Sequence, residues 1–414
     1  MNTGQHFGSI NDIISSLNWL KTDNSNLIRY IQVFNWLTDY FSFVDILGYK
    51  IYLIGLLDYF PFSLPIIGKG MRNFFQMNNM IKINYSKFLI GQNKKFYHEL
   101  HFDNLQNLNQ INNHWFKLKQ LTIKELSDIN TIKNKTEKKI KLLIIIGQTL
   151  HAVQDFYSHS NWIEYFHEKH NFNNKESFMT WFDVFKNNKQ KYDEYKKLLL
   201  KNEEEIYTGY FPANKNISKY NIVHDDKKRM PGLNKDRAER PYFDVVYHLS
   251  VKQGIQWLNY LRDNDYLNSN HLELLKENMN ELLHDNLTSI HNFGKNLTFN
   301  LKEWNNSGPF NNLKIKLSSV KTLKENLFIN VQFSADENLI NLDRDFRKAY
   351  FILRIYSITE NQLLFEKFIS TCKNGTSSVK INLKNYKKQN YYSKIKIEAN
   401  CGLIKDFIEY RVNK

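Results

Sequence analysis

Chain breakers are scarce in this sequence. Its 414 residues include only 15 glycines and 6 prolines. Long periodic runs are therefore rarely interrupted, which favours helices through the first three quarters. Cysteine is scarcer still. Cys372 and Cys401 are the two present, which excludes a disulfide scaffold and a cysteine zinc cluster. They can pair once, in an oxidising compartment. The start, "MNTGQHFGSINDIISSLNWL", lacks a basic stretch followed by an apolar core, so no secretory signal is expected. The most apolar region is "ILGYKIYLIGLLDYFPFSLPIIGKGM". Lys50, Asp58, Pro61 and Pro65 interrupt it short of the roughly 20 clean residues that a membrane span requires. It reads as a buried or membrane-touching helical hairpin over 46–67. The expected location is cytoplasmic or peripheral to a membrane.

Acid is in deficit: 42 Asp and Glu stand against 57 Lys and Arg, a formal net charge of +15. Such a charge suits an anionic partner, nucleic acid or an acidic membrane surface. The whole chain is also rich in Asn, Lys, Ile and Tyr, as an A/T-biased coding sequence would make it, and that bias accounts for the charge equally well. What is abundant is core-forming material. Hydrophobic residues make up 42% and aromatics 15%, with 24 Tyr and 30 Phe. The chain can bury a core, and its length predicts about two or three domains.

Helical patterns cover 8–20, 26–47, 70–90, 104–117, 136–168, 175–208, 240–264 and 270–292. The stretch 205–239 holds Gly, Pro, Asn and Asp without a sustained period and reads as irregular. After "EWNNSGPFNN" the period changes. "LKIKL", "LFINVQF", "AYFILRIY", "LLFEKFI", "SVKINL", "SKIKIEA" and "DFIEYRV" alternate apolar and polar positions, as half-buried strands do. The expected fold is a mainly α domain over 1–304 followed by an antiparallel β-sandwich over 312–414, its last strand including Phe407 to Val412.

One segment asks for chemistry. "LHAVQDFYSHSNW" follows the apolar run "EKKIKLLIIIGQTL", and it spaces His151, Asp155 and His159 four residues apart. On a helix these three share one stripe. Imidazoles and carboxylates facing a core need partners, so the stripe calls for a hydrogen-bond network or a metal, for which both groups are good ligands. Other candidates occupy pointed contexts: His6 before an apolar run, Asp39 in "FNWLTDY", His101 and Asp103 in "HFDN", His224 in "NIVHDD", Lys235 in "GLNKD" and His248 in "VVYHLSV". Each has a structural alternative. Asp103 can be a helix N-cap, His248 a satisfied core histidine, His224 a solvated loop residue. Lys235 is a phosphate contact or a solvated turn lysine.

Taken in order, "FNWLTDY", "HFDN", "LHAVQDFYSHSNWIE", "TGYF", "GLNKD" and "YHLSVKQGIQWLNYLRD" resemble the HET-C heterokaryon-incompatibility family over roughly residues 5–265. That family is in turn distantly similar to zinc-dependent phospholipases C and single-strand-specific zinc nucleases, all-α enzymes with a three-zinc site that hydrolyses phosphodiesters. The resemblance implies up to three zinc ions. Asp39, His101, His151 and Asp155 would hold the first, and His6, sharing Asp155, the second. His159, His224 and His248 would hold the third. Asp155 and Asp39 would be the catalytic carboxylates. Two departures stand out: Asp155 and His159 are closer in sequence than in those enzymes, and no processed N-terminal amine is visible as a ligand. The expected activity is phospholipase C-like hydrolysis at a phospholipid surface. A zinc nuclease, and a non-enzymatic recognition or cell-death protein with a structural metal, are the alternatives.

Overall fold

The structure is a computed structural model of the 414-residue chain. It describes residues 3–20, 27–35, 38, 81–84, 100–170, 172, 175–186, 192–209, 233, 235, 240–279, 282, 287–293, 295–300, 314–323, 326–334, 348–358, 362–372, 375–382, 394–400 and 405–412. Asp39, His224, Cys401 and the 46–67 hairpin lie outside this set. Two compact units emerge. One takes in Ser9–Pro61 and Asn78–Asn305, and the other is built on Asn306–Lys414.

The first unit is organised around one long helix. Nine α-helices fall among the described residues: α1 (Thr3–Ser16), α2 (27–35), α3 (Leu108–Asp128), α4 (Lys135–His159), α5 (Trp162–His170), α6 (Trp181–Phe185), α7 (Asp193–Lys201), α8 (Phe243–Asp263) and α9 (Ser269–Lys276). Helix α4 is the centre. Asn134 caps it by accepting a hydrogen bond from the Glu137 N–H, and every residue from Lys139 to His159 is buried. A helix buried all round must be surrounded, and α3, α8, α9 and strand β2 (Leu287–Asn292) pack against it. Its charged start does not contradict burial, because Lys141 pairs with Glu125 at 3.0 Å and Lys139 with Glu277 at 2.5 Å. A buried charge persists only when paired in this way.

Gly147 sets the closest approach of α4 to a neighbour. A Cβ there would lie 2.8 Å from Asn35 N, Ile31 O and the Phe34 Cβ of α2. The Asn35 side chain fastens that contact, donating to Gly147 O and Gln154 Oε1, each at 3.1 Å. Gln154 Nε2 then donates to Ser9 Oγ at 2.7 Å.

The all-α expectation for this unit is corrected by a small antiparallel sheet. Strands β1 (Ile81–Asn84), β3 (Lys295–Asn300) and β2 pair in the order β1-β3-β2. The helical readings of 70–90 and 270–292 therefore fail at 81–84 and 287–292. The apolar spacing of "LTSIHN" fits a strand equally well: Thr288, Ile290 and Asn292 are buried while Ser289 and His291 are exposed, a period of two. Among the described residues of 175–208, α6 and α7 are the α-helices. The 104–117 helix starts later and runs on to Asp128, capped by Asn107 rather than Asp103.

In the second unit the seven alternating runs are seven strands: β4 (Lys314–Leu323), β5 (Asn326–Ser334), β6 (Lys348–Ser357), β7 (Gln362–Cys372), β8 (Thr376–Asn382), β9 (Lys394–Asn400) and β10 (Lys405–Arg411). Val412 falls just past the last strand. They form two antiparallel sheets, β4-β5-β8 and β10-β9-β6-β7. Ile315, Leu317, Leu327, Ile329 and Val331 are buried on the first, and Leu353, Ile355, Ile395 and Ile397 on the second. The Leu317 N–H donates to Asp406 Oδ2 at 2.8 Å, and the Thr322 N–H to Tyr410 Oη at 3.1 Å, joining β4 to β10. Among the described residues, no helix is long and apolar enough to cross a membrane.

Candidate metal centre

The C-terminal turns of α4 carry His151, Asp155 and His159 on one stripe, and the segment before α3 brings His101 and Asp103 to it. His101 Nδ1 lies 2.7 Å from Asp155 Oδ2, and His151 Nε2 lies 3.1 Å from the same oxygen. The two imidazoles meet edge to face, with ring centroids 5.0 Å apart. His159 Nδ1 is 3.4 Å from Asp103 Oδ1 and 4.0 Å from Asp155 Oδ2. One carboxylate oxygen thus stands among three imidazoles.

Its electrostatics follow. Burial of Asp155, 1% exposed, would raise its pKa. The charges of His151 and His159 and the hydrogen bonds from His101 and His151 override that and hold the carboxyl well below the usual carboxylate range. Asp155 is therefore an anion throughout the neutral range, the form that binds a cation.

The donor set fits a metal. His101, His151 and Asp155 each offer a ligand atom, all within 4.8 Å of one another, and this trio can hold a metal ion. Bonds of roughly 2.0–2.2 Å space tetrahedral ligands by ~3.3–3.6 Å. The pairs at 2.7 and 3.1 Å thus need to open by about 0.2–0.9 Å. It is the one such group of three or more His, Cys, Asp or Glu among the described residues. Of the other expected ligands, His159 joins this cluster through Asp103 and Asp155. His248 sits half-buried on α8 and is not in the trio. His6 lies on α1, but its side chain is not described, and Asp39 and His224 lie outside the described residues.

The backbone around the cluster is fastened to itself. Ser160, extended at φ −99° and ψ 163°, ends α4 and bridges Thr208. The Gly209 N–H donates to His159 O at 2.7 Å, while Gly209 O accepts from the Asn104 N–H at 2.9 Å. Asn104 adopts φ 63°, a left-handed conformation that asparagine tolerates. The Asn161 side chain holds Glu205 O and the Tyr207 N–H. Thr208 and Gly209 thus strap the His101 segment to the end of α4.

Lys235 is corrected on both of its expected roles. It is buried, its ammonium donating to Ser160 O at 2.7 Å, Leu233 O at 3.0 Å and Glu164 Oε1 at 3.0 Å. It is an internal clamp on the same helix end. Asp103, read as a possible cap, is instead the partner of His159. Its signal was its position two residues after His101 in a segment with no helical period. On the far side, Tyr157 Oη donates to Gln253 Oε1 at 2.7 Å and accepts from the Trp181 N–H at 2.9 Å. These buried contacts give "YSHSNW" and "VKQGIQW" a structural reason to be as they are.

Comparison with known proteins adds one finding. A family model described as the VWA7 N-terminal domain matches residues 83–191, about a quarter of the chain. His101, Asp103, His151, Asp155 and His159 all fall within the matched part. No curated protein and no solved structure matches.

Proposed function

We propose that the chain is a zinc-dependent phosphodiesterase, its metal held by His101, His151 and Asp155. The observation that carries this reading is one carboxylate oxygen shared by adjoining groups: His101 and His151 at 2.7 and 3.1 Å, and His159 at 4.0 Å with Asp103 behind it. Structural zinc sites are closed sets of four ligands, whereas catalytic sites hold the ion with three protein ligands and leave the fourth position to water or substrate, and the trio here numbers three. The chemistry such an ion supplies is Lewis-acid activation of water and of a phosphoryl oxygen. The chain's own contribution is positional. Asp155 is kept ionised, His151 is oriented by it, and the Thr208–Gly209 strap fixes the segment that carries His101 and Asp103.

The HET-C resemblance, with its likeness to zinc phospholipases C and zinc nucleases, supports the same reaction class. The preference for a phospholipid over a nucleic acid rests on the apolar sequence 46–67. A second reading, a structural metal in a recognition or cell-death protein, is favoured by the burial of the centre, with His151 0% exposed. We also infer that the two sheets of the second unit face each other as a sandwich. The links from β4 to β10 and the buried alternate residues support this.

The test is a panel of bis(p-nitrophenyl) phosphate, single-stranded DNA and phosphatidylcholine vesicles with the zinc-loaded protein, wild type against Asp155→Asn. Hydrolysis by wild type that Asp155→Asn lacks is the expected result, and the substrate cleaved assigns the class. Full zinc occupancy with no hydrolysis of any of the three favours the structural reading.

A further inference from the structure

A second site lies in the first unit, away from the metal ligands. Helices α3, α6 and α8 enclose a cavity of about 230 Å³ whose walls are mostly rings. Trp115 and Trp181 are stacked, with centroids 4.9 Å apart and planes 18° from parallel. Trp181 Nε1 donates to Asn112 Oδ1 at 2.8 Å, so its one polar atom is satisfied sideways. Phe116 stands at the rim, 52% exposed.

Two cations flank the rings. Lys119 Nζ lies 5.3 Å from the Phe116 centroid, and Lys186 Nζ lies 5.7 Å from the Trp181 centroid. Both are at cation–π distance, with Lys119 half-buried and Lys186 exposed beside the mouth. Burial lowers the Lys186 pKa, and the like charges of Lys119 and Lys196 lower it further. Positive charge is therefore concentrated at one edge of an aromatic slot.

We propose that this cavity binds a small planar aromatic anion, its ring among Phe116, Trp181 and Phe185, with the buried Trp115 behind them, and its carboxylate or phosphate between Lys119 and Lys186. Rings prefer offset-stacked or edge-to-face neighbours, which the slot offers. The anion relieves the repulsion between the two ammoniums. The volume is smaller than that of a drug-sized pocket and suits one or two fused rings. Trp115 also packs on Phe102 and Phe156, at 4.7 and 5.5 Å between centroids. These two residues adjoin His101 and Asp155, so one aromatic layer separates the slot from the metal centre. The proposal does not depend on a metal being bound.

The test is calorimetric titration of the full chain with 2-naphthoate, and with neutral 2-naphthamide for comparison. Wild type should bind one naphthoate per chain. Lys119→Gln with Lys186→Gln should weaken naphthoate by about tenfold or more, since both charge contacts are lost, and should leave naphthamide unchanged. Lys119→Arg with Lys186→Arg should restore naphthoate binding, which separates lost charge from a disturbed fold. Phe116→Ala should weaken both ligands. No saturable binding of naphthoate by wild type, or equal affinity in the glutamine variant, overturns the proposal.

Discussion

At the scale of single residues, the α4 stripe was legible because one helix period and three unusual side chains were enough to read it. Partners distant in sequence were less so. The pairing of His101 with Asp155 was expected only through a family resemblance, and that of Asp103 with His159 was not expected at all. Lys235 shows why. Nothing local distinguishes a buried lysine from a solvated one, since two of its three acceptors, Ser160 O and Glu164, lie more than 70 residues away. Replacing Lys235 by Met should leave the Ser160 and Leu233 carbonyls and the Glu164 carboxylate short of a donor. It should cost roughly 2–4 kcal/mol in urea unfolding, less than a fully buried pair would because Glu164 is partly exposed. Asp183 yields a pH prediction. Burial alone would raise its pKa, but Lys252, the Thr180 N–H and Gln256 together hold it below the usual 3.8. A depressed carboxyl stabilises the fold above its unfolded pKa, and that stability is lost as pH falls through the lower folded value. Asp183→Asn should therefore be less stable than wild type at pH 7, and the gap should narrow in urea melts taken progressively below pH 4.

At the scale of elements, periodicity carried most of the reading. All seven C-terminal strands were visible from their short apolar–polar runs, an alternation that burial follows at the start of β4 and in β8. Helix α4 was visible because a long apolar run without proline has few other folds open to it. The strands at 81–84 and 287–292 were missed because short apolar spacings fit either period until the tertiary partners are known. Glycine makes a further distinction that sequence alone does not. At Gly147 a new methyl group meets the backbone of α2 at 2.8 Å, and the two helices must part. At Gly254 it meets Cδ1 and Cγ1 of the buried Ile13 side chain but no backbone atom. Gly147→Ala should therefore cost about 1–3 kcal/mol in denaturant unfolding, and more than Gly254→Ala. An equal or smaller cost at Gly147 would mean that the α2–α4 contact is looser than described.

At the scale of the whole molecule, the sequence blocks "HFDN", "LHAVQDFYSHSNWIE", "TGYF" and "GLNKD" contribute backbone or side chains to one helix end, although they span more than 130 residues. The meeting of His101 and Asp103 with Asp155 and His159 explains why a chain would space His151, Asp155 and His159 along a core helix. It also defines what the centre must do if it is a metal site. Removing the shared carboxylate should weaken metal binding by more than the roughly 10–100-fold typical of a supporting residue, while the straps through Thr208, Gly209 and Lys235 keep the fold. The most direct measurement is the metal content of the purified chain after zinc loading and exhaustive dialysis, determined by elemental analysis for wild type and for Asp155→Asn, with circular dichroism confirming that both are folded. The account predicts at least one equivalent of zinc retained by wild type and little or none by the variant. A metal-free wild type, or equal zinc in both proteins, would contradict it.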